Sequence, residues 1–188
     1  MYLLGQACGV AGAIVTILQP QFRSKVQILI CGILNNCFSA LNFLLIGQTG
    51  SAVFLCLVAV LQSLIGIRHT RRNTPVPLWE TILFFCLYVG FGLLGMISAE
   101  GFVWELSRKN ALELLPILGA LMLMLSVFAR GEQRTRCFLL LNGAAWAVYT
   151  ASTGAAVFLS CIISMSSSLL ALIKYRKQDT PPAPTSQS

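Results

Sequence analysis

The sequence predicts an all-α polytopic membrane protein of about seven transmembrane helices, arranged as two parallel three-helix repeats joined by one linker helix (3+1+3). A charge deficit, regularly spaced apolar runs and a seven-residue segment that occurs twice lead to this reading. Of the 188 residues, 56% are apolar and 10% charged, where a soluble domain carries roughly 25% charged residues. So few charges cannot cover a water-facing surface of this size. Much of that surface must face lipid, and the partner implied first is the bilayer.

A spanning helix needs about 20 mostly apolar residues. Between charge clusters the chain offers seven such runs, at 2–18, 27–46, 51–67, 78–98, 111–129, 137–152 and 155–173. The first begins without the basic stretch of a cleaved signal, so it reads as a retained helix. Gln19-Pro20-Gln21-Phe22-Arg23 ends it, because proline cannot continue the hydrogen-bond ladder. Gly47 to Gly50 forms an uncharged turn. A basic stretch from Arg68, carrying the sole histidine, His69, is closed by Pro75 and Pro77 and reads as a solvated loop. Residues 178–188, rich in proline and polar side chains, read as a disordered tail.

Charge placement sets the orientation. With seven spans, one side carries Arg23, Lys25, Arg68, Arg71, Arg72, Arg130, Arg134, Arg136, Lys174, Arg176 and Lys177, and the other only Arg108 and Lys109. Eleven against two is a positive-inside bias, with the N-terminus outside and the C-terminus in the cytoplasm. The basic residues lie in short clusters rather than on one element. The net charge of +7 therefore points to membrane topology and not to nucleic acid. The seven cysteines lie in or beside apolar runs without a Cys-x-x-Cys pair, as packing residues do.

Thr49-Gly50-Ser51-Ala52-Val53-Phe54-Leu55 recurs as Thr153-Gly154-Ala155-Ala156-Val157-Phe158-Leu159. Each copy lies between the second and third helix of a three-helix set that ends in basic residues. An even displacement of four helices keeps both sets in one orientation. The chain divides into a first repeat with its basic loop (1–77), a linker helix with an external loop (78–110), a second repeat (111–177) and the tail (178–188).

Glu113-Leu114-Leu115-Pro116-Ile117-Leu118-Gly119, Arg134-x-Arg136-Cys137, Trp146 and Gly154, with Asn42-Phe43-Leu44-Leu45-Ile46-Gly47 and Arg68 in the first half, resemble the YgjV-type bacterial inner-membrane proteins. The resemblance runs to about residue 178 and implies a cytoplasmic (inner) membrane location. That family looks related to the PQ-loop and SWEET (MtN3-like) group, and Pro20-Gln21 resembles the dipeptide that names PQ-loop proteins. The family pattern has histidine at the positions of Asn42 and Tyr149, and Met124-Leu125 stand where a second Pro-Gln would fall.

Side-chain amides are costly in hydrocarbon and face a bundle interior. Asn35, Ser39 and Asn42 follow at intervals of four and three, one stripe on a helix face. Asn142, Trp146 and Tyr149 repeat that spacing. With the repeat offset, Asn42 falls opposite Trp146 and Gln62 opposite Ser166. The candidate substrate-binding set is therefore Asn42, Gln62, Asn142, Trp146, Tyr149 and Ser166, with Pro20 and Gln21 as a hinge. The resemblance to SWEET proteins, whose pocket uses a tryptophan and asparagines on these helices, implies Trp146 and, after it, Asn42.

Three function classes follow: a transporter or facilitator of a neutral polar solute, a non-transporting scaffold or regulatory protein, and a membrane enzyme. The last is disfavoured by one histidine, no Gly-rich phosphate loop and no nucleophile–base pair, and no cofactor or metal is implied. Gly5 and Gly9 allow close helix contact, inside the bundle or in a homo-oligomer.

Overall fold

The computed structural model describes residues 2–45, 51–97, 108–153 and 157–175. They form seven α-helices and, among the described residues, no strand: α1 Tyr2–Leu18, α2 Lys25–Leu45, α3 Ser51–Arg72, α4 Leu78–Ile97, α5 Arg108–Phe128, α6 Glu132–Thr153 and α7 Val157–Tyr175. A short 3-10 turn, Gln19–Gln21, follows α1 where Pro20 withholds its N–H. The turns holding Gly50 and Gly154, the external loop and the tail from 178 lie outside the described residues.

The helices outrun the apolar runs where charge had marked a boundary. α3 continues to Arg72, so Arg68 and His69 stand on the helix rather than in a loop. It stops at Asn73, whose φ of 50° caps it: Thr74 N–H reaches the His69 carbonyl at 3.1 Å and Asn73 N–H that of Thr70 at 3.3 Å. α6 begins at Glu132 instead of 137, which brings Arg134 and Arg136 into the helix. Gly131, at φ 85°, turns the chain into it.

α2 packs between α1 and α3, and α6 between α5 and α7. α4 packs on α3 and α5, and the two sets meet through α1 with α7 and α3 with α5. A buried apolar cluster of Val58, Ala59, Phe84, Tyr88, Ala120 and Met124 fills the seam of α3, α4 and α5. Gly66 lets α3 approach α5 closely, since a Cβ there would stand 2.5 Å from Val127 Cγ1.

Large apolar side chains face outward along the helices, among them Val10, Ile14, Leu34, Leu61, Phe85, Leu118, Val148 and Ile173. Leu3–Gln21 and Val53–Arg72 are long and apolar enough to cross a bilayer, and α4, α5 and α7 carry shorter apolar stretches. The flanked helices α2 and α6 carry neither among the described residues. Their sequences hold the amides and buried cations instead: Lys25, Asn35, Asn36 and Asn42 in one, Arg136 and Asn142 in the other.

Candidate functional site

Gln62 on α3 is 0% exposed and fully engaged. Its amide Nε2 donates to the Met124 carbonyl on α5 at 3.1 Å, and its Oε1 accepts from the Tyr88 hydroxyl on α4 at 2.7 Å. One side chain thus joins three helices inside the apolar cluster, where a bond left unmade would cost about 1–3 kcal/mol.

Asn42 lies on the α1–α2 seam, its Nδ2 only 3.1 Å from where a Cβ on Gly9 would stand. Two turns back along α2, Asn35 Oδ1 lies 3.2 Å from where a Cβ on Gly12 would stand. On the α5–α6 seam, a Cβ on Gly119 would lie 2.9 Å from Trp146 Nε1 and 3.2 Å from Asn142 Oδ1. Trp146 also meets Tyr149 edge to face, with ring centroids 5.9 Å apart. The Oδ1 atoms of Asn42 and Asn142 are buried and accept no hydrogen bond among the described residues. Ser166 is exposed and returns its hydroxyl to the Ile162 carbonyl at 2.9 Å. The described contacts thus bring Asn142, Trp146 and Tyr149 together, while Asn42, Gln62 and Ser166 stand on other seams or faces.

The connections α1–α2, α3–α4 and α5–α6 and the C-terminus of α7 meet at one end of the bundle. That shared end holds Arg23, Lys25, Arg68, Arg71, Arg72, Arg130, Arg134, Arg136 and Lys174, and is here called the basic end. Arg136, 1% exposed, donates from Nε to the Pro20 carbonyl at 3.1 Å and from Nη2 to that of Phe22 at 2.8 Å. Its guanidinium lies 4.5 Å over the Tyr175 ring, whose hydroxyl donates to the Gln21 carbonyl at 3.1 Å. Gln21 Nε2 reaches the Ser167 carbonyl at 2.8 Å and its hydroxyl at 2.9 Å. The Pro20-Gln21 segment is therefore held from both α6 and α7.

Lys25, two residues ahead of the apolar run of α2, makes the converse contact. Its Nζ donates to the Ala129 carbonyl in the α5–α6 connection. Burial pushes its amine below the ordinary lysine range, and the charge of Glu132 opposes that shift. His69 is half-buried and partnered: it bonds Thr74 at 2.9 Å through Nδ1 and Glu80 at 2.9 Å through Nε2, so the end of α3 is tied to the start of α4. Glu80, in the first turn of α4, is accordingly buried.

The sequence missed Arg136, Lys25 and the His69–Glu80 pair because charge was read as solvent exposure. The available signal was the Arg134-x-Arg136 spacing, in which only one of two neighbouring arginines can face outward on a helix. Among the described residues, no three His, Cys, Asp or Glu side chains gather as a metal site.

Outward apolar faces around a seam-bound set of amides define an α-helical integral membrane protein. Residues 3–179 match the Imp-YgjV family, described as bacterial inner membrane protein, and the chain belongs to that family. No curated protein and no solved structure gives a significant match.

Proposed function

We propose that this protein is a SWEET-like facilitator of a neutral polar solute, built from two parallel three-helix units, α1–α3 and α5–α7, with α4 as linker. The observation that carries this reading is the pair of buried amide oxygens without partners, on Asn42 and Asn142, one in each unit and each against a glycine of the preceding helix. Buried acceptors are almost always satisfied in native proteins, so two of them, one in each unit, suit a ligand that donates hydrogen bonds. Amides supply donors and acceptors without charge, and the indole of Trp146 offers a face for a ring. Tyr149 edges that indole, whereas Gln62 and Ser166 stand apart from this cluster.

Duplication is supported by reciprocity at the basic end. Lys25, in the first turn of α2, donates to the connection before α6, and Arg136, near the start of α6, donates to the connection before α2. Two like units related by a pseudo-twofold axis along the membrane normal produce such an exchange. Pro20 and Gln21 act as the hinge, released when Arg136 and Ser167 let go. The basic end faces the cytoplasm by its charge.

A non-transporting scaffold or regulatory protein is the second reading, favoured by Gln62, whose amide is consumed by helix–helix bonds. Uptake into liposomes holding the purified protein, screened over sugars, amino acids and small metabolites, separates the two. Uptake above that of empty liposomes supports the facilitator. Its absence across the panel, with folding verified, leaves the scaffold.

A further inference from the structure

A cleft of about 360 Å³ opens at the basic end between α2, α3, the α3–α4 turn and the α5–α6 connection. Its volume sits near the lower bound of small-ligand pockets, about 300–1,000 Å³. Lys25, Gly66 and Val127 are buried at its floor, while Asn73, Thr74 and Arg130 are exposed at its rim. No acidic side chain lines it.

The floor cation is unusual. Lys25 is 9% exposed, and its ammonium contacts a backbone carbonyl, with no carboxylate at ion-pairing distance among the described residues. Glu132 acts on it from farther away, and Glu80 is engaged by His69. A buried ammonium is stable only when paired, and a carbonyl supplies no net charge. Arg130 stands at the mouth of the same cleft, and Glu132, in the first turn of α6, is not among its lining residues. Two cations of different depth around one cleft suit an anion whose oxygens are met on both sides.

We propose that this cleft binds a phosphate group, either that of an anionic phospholipid or of a soluble phosphate compound, with Lys25 at the base and Arg130 at the rim. The site is independent of the neutral-solute reading.

The test uses the full-length protein in detergent and in bilayers. Inorganic phosphate, titrated at constant ionic strength set by chloride, should raise the unfolding temperature saturably. In Lys25→Met and Arg130→Gln the apparent affinity should fall at least about tenfold. Arg134→Gln, an exposed cation on the same helix end but outside the cleft, should keep it. Native mass spectrometry after transfer from phosphatidylglycerol bilayers identifies the source: retained lipid that falls in the same two variants assigns a headgroup, whereas a phosphate response without retained lipid assigns a soluble ligand. Arg130→Gln alters an exposed side chain and keeps the test open even where Lys25→Met fails to fold. No response to either probe, or equal responses in wild type and Arg130→Gln, would overturn the proposal.

Discussion

The guanidinium of Arg136 holds the carbonyl of Pro20 at 3.1 Å across 116 positions of chain, and Lys25 returns a bond of the same kind to Ala129. The acceptors lie just past the ends of α1 and α5, in the 3-10 turn and in the α5–α6 connection, where carbonyls lack an α-helical donor and must be satisfied from elsewhere.

Arg136→Ala should lower stability by about 2–4 kcal/mol, because two carbonyls lose a charged donor and the Tyr175 ring loses the nearer of its two cations. Thermal unfolding in detergent reads this directly. Arg136→Lys should recover only part of it, since an ammonium cannot reproduce the two-carbonyl fork. An alanine variant as stable as wild type would show that the contact contributes nothing.

Gln62 and Tyr88 should behave as a coupled pair. Gln62→Leu leaves the buried Tyr88 hydroxyl without its acceptor and should cost about 1–3 kcal/mol. Tyr88→Phe should cost less, and the double variant less than the sum, with a coupling of about 0.5–3 kcal/mol. Strict additivity would mean that the 2.7 Å contact carries no stability.

Gly66→Ala should destabilise by about 1–3 kcal/mol through overpacking against Val127 Cγ1. Trimming the partner in Gly66→Ala/Val127→Ala should restore part of that loss. A double variant worse than both single ones would place the strain elsewhere.

For the proposed site, Asn42→Ala and Trp146→Ala should each reduce uptake of a transported solute at least about tenfold while unfolding temperatures stay close to wild type. Unchanged uptake in both would return these side chains to packing.

Seven helices were legible because prolines and charge clusters interrupt apolar runs, and those features act locally: Pro20, Pro75 and Pro77 each mark a real helix end. The spacing of Trp146 and Tyr149 likewise announced a shared face, where the two rings meet. Arg136 and His69 were illegible. Their partners are backbone carbonyls of a connection more than a hundred positions away, or the turn Asn73 caps, and periodicity sees neither. Gln62 was recognised as an inward-facing amide, but its partners Tyr88 and Met124 belong to helices whose rotation no local pattern reveals.

The amides and the cation carried by α2 and α6 bear on how the chain enters its membrane. A segment with several amides and a cation is a poor substrate for insertion alone, whereas a hydrophobic neighbour lets both partition as a hairpin. Each of these helices packs against the one made just before it, α1 or α5, so a partner is already present when it leaves the ribosome. Glycosylation-mapped insertion of isolated α2, compared with α1 and α2 together, would measure that dependence; equal insertion of both would refute it. Insertion in pairs would give the residues that hold the finished bundle together a second role, as the polar groups that each middle helix shields against its neighbour on the way into the bilayer.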